Sequence, residues 1–400
     1  MTDGSVTESA LLSLARAAVD AAPHDLAELI AGCGERLGAD EVLVYLVDLQ
    51  QRVLQPLLSP APSATQAALP ALAVDGTLAG RAYQTVHLQL QDTDDGRTRV
   101  WLPVGIGSLR TGVLSVTLSG PPDESQVESF GRLADAAALL VQSKSVYGDS
   151  IVRLRRSQHL GVSAELHYSV LPPLSYTGRQ VSVSAALEPC YDVAGDVIDY
   201  SVDPGLTQVA IFDGMGHGLH SAQCAVFTVA AYRSARRSGL GLLEQLRSVD
   251  AALVEGLGGE LFSTAVMADL DTTTGLLRWV NAGHPPPLLL RGGKLVKALD
   301  TEPRPPLGLG HLLADVSSEV GQEQLEPGDM VLLYTDGVVE ARAPDGELFG
   351  VERLAELVRV QLAGGLDAAE TMRRVVRELL SHHGGQLSDD ATLLMLEWHR

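Results

Sequence analysis

The sequence predicts an α+β protein: a small N-terminal α+β domain, a helical linker, and a larger C-terminal domain built as a layered β-sandwich. Three observations lead there. In the C-terminal half, apolar strand-like runs follow one another across tight turns such as Asp203-Pro204-Gly205, Thr274-Gly275, Gly292-Gly293 and Glu326-Pro327-Gly328, which is an antiparallel pattern. Helical stretches there come in adjacent pairs instead of alternating with single strands, which argues against a parallel Rossmann sheet. Between Pro121-Pro122 and Pro172-Pro173 lies a long stretch of helical period that separates the two halves.

Taken in order, residues 1–22 form a lead, in which Leu11, Leu12, Leu14 and Ala15 suit a helix. Leu26, Leu29, Ile30 and Cys33 trace one helical face across 25–37. Residues 41–47, a run of Val, Leu and Tyr after Glu41, read as a buried strand with 53–57 as its hairpin partner. Further strands are expected at 86–90, 99–104 and 111–118. These elements make a domain over 23–122. In the linker, 123–175, Val127, Phe130, Leu133, Ala134, Ala137, Leu140 and Val141 recur every three or four residues, and the pattern continues through Ile151, Leu154 and Leu160 to Leu166. Such a stretch is either a coiled-coil dimer seam or signalling lever, or a helix packed on its own domain.

The domain over 176–400 opens with an alternating strand at 181–187 and a hairpin of 197–202 with 207–212. Helices follow at 219–237 and 241–257, then strands at 263–270, 276–281, 287–290 and 295–299. A further pair, 316–325 and 329–334, is followed by helices at 351–362 and 367–381 and a last strand at 391–397.

Composition narrows the function. The 400 residues carry a formal net charge of −21, with 46% hydrophobic and 20% charged residues. A chain this acidic is unsuited to wrapping a phosphate backbone or lying on an anionic membrane, so neither nucleic acid nor membrane is an expected partner. No apolar run approaches the roughly 18 residues of a membrane span. The N-terminus has no basic signal-peptide region. Cys33, Cys190 and Cys224 are too dispersed for a disulfide framework or zinc site, and a reducing cytoplasm is the expected location.

The chemistry sits at strand ends. Asp213 closes an apolar strand and opens Asp213-Gly214-Met215-Gly216-His217-Gly218 before a helix. Interleaved glycines let a cation, water or phosphate approach the backbone, and the Gly214 carbonyl is itself a hard-cation donor. No Gly-Lys-Ser/Thr follows, so this is not a phosphate-cradling P-loop. Asp336 ends the run Met330–Thr335 ahead of Gly337, and reads as a cation ligand or as a helix N-cap. Asp196 follows Gly195, and Asp389 stands beside Asp390 before the last strand; each alternatively reads as a solvated turn. His217 and His284 are candidate acids or phosphate donors, with a structural turn as the plainer reading of His284 in Asn281-Ala282-Gly283-His284. Carboxylates from distant segments that meet at one sheet end could hold two metals about 3.5–4 Å apart, a pair that activates water and clamps a phosphoryl group.

Together and in order, Leu171-Pro172, 194–200, 213–218, Asn281–His284, 334–340 and 388–392 resemble the metal-dependent protein phosphatase (PPM) superfamily, most closely its bacterial SpoIIE-type, RsbU-like branch. The resemblance covers about 165–398. It implies an αββα sandwich with two Mn2+ or Mg2+ ions bridged by Asp196 and Asp213, with the Gly214 carbonyl, Asp336 and Asp389 completing the set. It implies direct attack of metal-activated water on phosphoserine or phosphothreonine, without a phospho-enzyme. The substrate expected by analogy is a phosphorylated STAS-domain anti-sigma-factor antagonist. Two departures stand out: Ala194 replaces a customary glycine, and Met215 replaces a histidine found in many eukaryotic relatives, which leaves His217 as the candidate general acid. The N-terminal domain more weakly resembles a GAF sensor, through the helix and strand at 25–47, residues 76–82 and the strand pair 100–104 and 112–116. That resemblance implies a small ligand at the GAF-like domain and regulation through the linker, with a homodimer along the linker helix as a further partner expectation. The rival functions are a two-metal phosphodiesterase or nuclease, and a non-catalytic sensor or scaffold.

Overall fold

The computed structural model describes residues 3–188, 195–216, 218–312, 319–385, 387 and 389–399. The chain divides into two compact units, Met1–His159 and Leu160–Arg400.

The first unit contains, in order, α1 (Asp3–Asp20), α2 (Leu26–Arg36), β1 (Glu41–Val47), β2 (Val53–Leu57), α3 (Ala64–Ala67), β3 (Leu72–Ala73), α4 (Leu78–Thr85), β4 (Gln89–Asp92), β5 (Thr98–Ile106), β6 (Leu109–Leu118), α5 (Glu124–Lys144) and α6 (Asp149–Leu154). Its strands form one antiparallel sheet in the order β3-β2-β1-β6-β5-β4. Helices α1, α2 and α5 bury one face of it around Leu14, Ile30, Val44, Leu114, Phe130 and Leu133. Tyr83 of α4 packs on the other face with Tyr45 and Trp101. The expected strand at 86–90 starts later, at Gln89, because α4 runs to Thr85 and Val86 takes the left-handed conformation that ends it.

Helix α5 shows how local sequence and packing agree. Asp123 accepts from the Gln126 amide while the Gln126 side chain accepts from the Asp123 amide, a reciprocal N-terminal cap. Phe130, Leu133, Ala134, Ala137 and Val141 then form a stripe buried in the unit's own core. The periodic stretch continuing to Leu166 is not one helix. Extended Gly148 follows the last turn of the α5 segment, and the helix over Val162–Val170 lies in the second unit.

The second unit runs α7 (Val162–Val170), β7 (Ser175–Thr177), β8 (Val181–Glu188), β9 (Asp196–Asp203), β10 (Leu206–Gly214), α8 (Leu219–Arg237), α9 (Leu242–Leu257), β11 (Ser263–Asp271), β12 (Leu276–Ala282), β13 (Leu288–Arg291), β14 (Lys294–Ala298), β15 (Gly321–Gln324), β16 (Met330–Tyr334), α10 (Asp336–Val339), α11 (Val351–Ala363), α12 (Ala368–His383) and β17 (Ala391–Trp398). The expected strand at 316–325 falls partly outside the described residues; its described part is β15.

Two antiparallel sheets, β15-β12-β11-β10-β9 and β14-β13-β16-β17-β8-β7, face each other. Strand alternation assigns the layers. On β10, Val209 and Ile211 enter the core between the sheets, whereas Ala210 and Phe212 face helices α8 and α9. On β17, Leu394, Leu396 and Trp398 point inward and Leu393 and Met395 face α11 and α12. The unit is therefore an αββα sandwich, and each fully buried Phe, Leu or Ile contributes roughly 1.5–3 kcal/mol of transfer free energy. Among the described residues no helix is long and apolar enough to cross a membrane.

Candidate functional site

Strands β9 and β10 bring the first two carboxylates together. Their antiparallel register sets Asp196 opposite Asp213, and the Gly214 amide donates to the Gly195 carbonyl at 3.0 Å. Residue 195 has to be glycine for this approach: a Cβ there would lie 1.9 Å from the Gly214 carbonyl oxygen. Beyond Gly214, Gly216 and Gly218 take positive φ and lead into α8. His217 lies outside the described residues, as do Ala194 and Ser388.

The second sheet supplies the opposing side. Strand β16 ends at Tyr334, Thr335 follows, and Asp336 opens the short helix α10. The N-cap position belongs to Thr335, so Asp336 is not the cap the sequence also allowed. Asp389 and Asp390 lie just before β17. A Cβ on Gly337 would stand 1.9 Å from the Asp390 carbonyl oxygen, so a bare glycine lets these two segments touch.

Hydrogen bonds tie the two sheets at this end. The Thr335 hydroxyl donates to Asp196 Oδ2 at 2.7 Å and accepts from the Thr392 amide at 2.9 Å. The Asp196 amide donates to Asp390 Oδ2 at 3.3 Å, and the Asp390 amide donates to Asp389 Oδ1 at 2.9 Å. Asp196 and Asp390 are buried, Asp213 and Asp336 half-buried, and Asp389 exposed, so the cluster grades from core to solvent.

Its electrostatics are those of like charges in one place. Burial holds the Asp196 carboxyl well above its ordinary value, Asp390 and Asp213 raise it further, and the Thr335 hydroxyl opposes them. Asp213 is pushed up to about 6, first by burial and then by Asp336 and Asp389. Asp336 is raised by burial, by Asp389 and by Glu340. No cationic side chain figures among the groups acting on these three. Elsewhere three buried acids meet arginine: Asp199 meets Arg233 and Arg236, Asp329 meets Arg291, and Glu370 meets Arg373. Among the described residues, no three His, Cys, Asp or Glu side chains converge as a ready-made ligand shell. Mutual repulsion favours that separation, and a donor set of unpaired carboxylates fits a hard divalent cation that would draw it together.

Residues that sequence reasoning had set aside take part. Asp390 is more deeply buried than its neighbour Asp389, and only adjacency to Asp389 marked it. Thr335 carries no signal beyond preceding Asp336. His284 bonds to residues of both sheets, to Thr264 through Nδ1 and to the Tyr334 carbonyl through Nε2.

A family model described as Stage II sporulation protein E (SpoIIE) matches residues 203–399, a segment containing Asp213, Gly214, Asp336 and Asp389 and beginning after Asp196. The chain is 26% identical over 235 residues to phosphoserine phosphatase RsbU of Bacillus subtilis, across 59% of this chain and 68% of that protein. It is 25% identical over 245 residues to protein IcfG of Synechocystis, across 54% of this chain but only 38% of that protein. A crystal structure of the RsbU and RsbW domains of a Mycobacterium tuberculosis protein aligns with 24% identity and a TM-score of 0.49, over 55% of this chain and 62% of that one. With the αββα layers and the carboxylate cluster in place, the match over 203–399 identifies a SpoIIE-type phosphatase domain in the C-terminal half of the chain.

Proposed function

We propose that the chain is a Mn2+- or Mg2+-dependent phosphatase of phosphoserine and phosphothreonine in proteins, and that its substrate is a phosphorylated STAS-domain anti-sigma-factor antagonist. The observation that carries this reading is the set of carboxylates from four chain segments, gathered at one end of a sandwich, with no cationic group acting on Asp196, Asp213 or Asp336 among the described residues. Asp196, Asp213, the Gly214 carbonyl, Asp336 and Asp389 would hold the ions in this reading. Two ions so held would supply an activated water and neutralise charge on the phosphoryl group. The chain's own groups do the rest. Thr335 fixes one oxygen of Asp196. The close β9–β10 approach at Gly195 fixes the Gly214 carbonyl, and His217 is the candidate proton donor to the leaving serine or threonine. RsbU, a phosphoserine phosphatase by name, supports the substrate class.

The N-terminal unit is read as a GAF-like sensor that binds a small ligand and regulates the phosphatase domain in the cytoplasm, with a homodimer through the 123–175 segment. The decisive assay is Mn2+-dependent phosphate release from a phosphoserine STAS protein by the full chain. Asp213→Asn and Asp336→Asn should abolish it, and EDTA should stop it. Activity that survives both substitutions, or that ignores chelation, refutes the assignment.

A further inference from the structure

His284 occupies the point where the chain leaves one sheet for the other, between β12 and β13. The turn is clamped by Asn281, whose Nδ2 donates to the His284 carbonyl at 2.7 Å and whose Oδ1 accepts from the His284 amide at 2.9 Å. Gly283 takes φ +69° and forms a bridge with Ala265 of β11. The backbone thus aims the imidazole before any side-chain bond is made, and only 6% of the residue remains exposed.

The ring bonds in both directions. Nε2 lies 3.0 Å from the Tyr334 carbonyl oxygen, and Nδ1 lies 2.7 Å from Thr264 Oγ1. A carbonyl can only accept, so Nε2 carries the proton. Burial keeps the ring neutral, with its pKa pushed down to about 3, so Nδ1 is the ring's acceptor toward the Thr264 hydroxyl, which is also hydrogen-bonded to the Asp213 carboxyl. Both partners border the carboxylate cluster. Thr264 is the cross-strand partner of Asp213. Tyr334 directly precedes Thr335, which holds Asp196, and Asp336 follows.

We infer that His284 is a positioning residue for the metal centre, an inter-sheet strut that sets the spacing between the Asp213 strand and the Thr335–Asp336 segment. The inference rests on the dinuclear reading above. A neutral ring suits this role because it fixes the geometry without adding a positive charge that would compete with a bound cation.

The test is Mn2+ binding by isothermal titration calorimetry on the full chain, with thermal unfolding in EDTA measured alongside. His284→Gln keeps a donor for the Tyr334 carbonyl and loses Thr264. His284→Asn keeps the reach to Thr264 and loses Tyr334. The strut predicts that His284→Ala weakens Mn2+ binding about 10- to 100-fold, the usual span for supports of metal ligands, with Gln and Asn intermediate. If His284→Ala fails to fold, the Gln and Asn variants carry the comparison. Folded variants that lose thermal stability but bind Mn2+ as tightly as the parent overturn the strut and leave the metal centre standing. Failure of the parent chain to bind Mn2+ overturns the centre and the strut together.

Discussion

Asp213→Asn should separate the two demands on this site, because it removes a ligand and also a destabilising charge. In the metal-free fold the Asp213 carboxyl is pushed from 3.8 to about 6. Its folded value exceeds its unfolded one, so between those pH values the folded state binds more protons. Stability therefore falls as pH rises through that window, and the penalty is fully present above about pH 6. The rise corresponds to about 3 kcal/mol, or about 2 kcal/mol for a half-buried group after solvent screening. A neutral amide of similar shape escapes that penalty. In EDTA at pH 7.5, Asp213→Asn should raise the melting temperature of the phosphatase unit by roughly 4–8 °C. The advantage should shrink as pH falls from about 6 and vanish below about pH 3, where the parent carboxylate is protonated in both states. Adding Mn2+ should reverse the order, stabilising the parent and not the variant. Differential scanning calorimetry at several pH values reads all three effects. A variant less stable than the parent in EDTA at pH 7.5, or a difference that does not depend on pH, refutes the reasoning.

The other predictions concern the supports. Thr335→Val removes the donor to Asp196 and the acceptor for the Thr392 amide, both buried; it should cost about 1–3 kcal/mol in urea unfolding and weaken Mn2+ binding. Asp199→Ala strands the buried Arg236 and frees Arg233, which also donates to the Val170 carbonyl at the end of α7; a loss of about 3–5 kcal/mol is expected by denaturant titration, and a loss below 1 kcal/mol would show that these arginines find other partners. Removing Met1–His159 at the unit boundary should change kcat or KM on a phosphorylated STAS protein, and unchanged kinetics would refute regulation by the N-terminal unit.

Most of the layer structure was legible because it follows from period-2 burial. The alternation on β10 and β17 sorts side chains between the inter-sheet core and the helix layers, and the glycine turns end the strands where expected. Helix continuity was less legible. Apolar spacing alone carries past Lys144 to Leu166, whereas the extended backbone at Gly148 and the separate start of α7 break it. In the site, Asp196, Asp213, Asp336 and Asp389 were visible because each stands next to a turn glycine or a second acid at a strand end. Thr335, Thr264 and Asp390 were not. Their roles depend on contacts between residues 139 or more positions apart, or on partners set by sheet register, which no local window contains.

The contrast between two kinds of buried acid ties the site to its chemistry. Three buried acids elsewhere are met by guanidinium groups, Arg291 on Asp329, Arg373 on Glu370, and Arg233 and Arg236 on Asp199, while buried Asp48 accepts from the Arg52 and Val53 amides. The pairing of Asp199 is telling, because Asp199 lies on the same strand as Asp196 and three residues away, on the opposite face. At Asp196 the neighbours are the Thr335 and Thr392 hydroxyls and more carboxylates. Pairing Asp196 with arginine would relieve the repulsion and also occupy the lone pairs that a divalent cation needs. Neutral donors such as Thr335 orient a carboxylate without cancelling its charge. A fold that gathers several carboxylates at one location and supports them with neutral hydroxyls forgoes stability there in favour of ligand capacity, and the EDTA and Mn2+ responses of Asp213→Asn measure both sides of that balance.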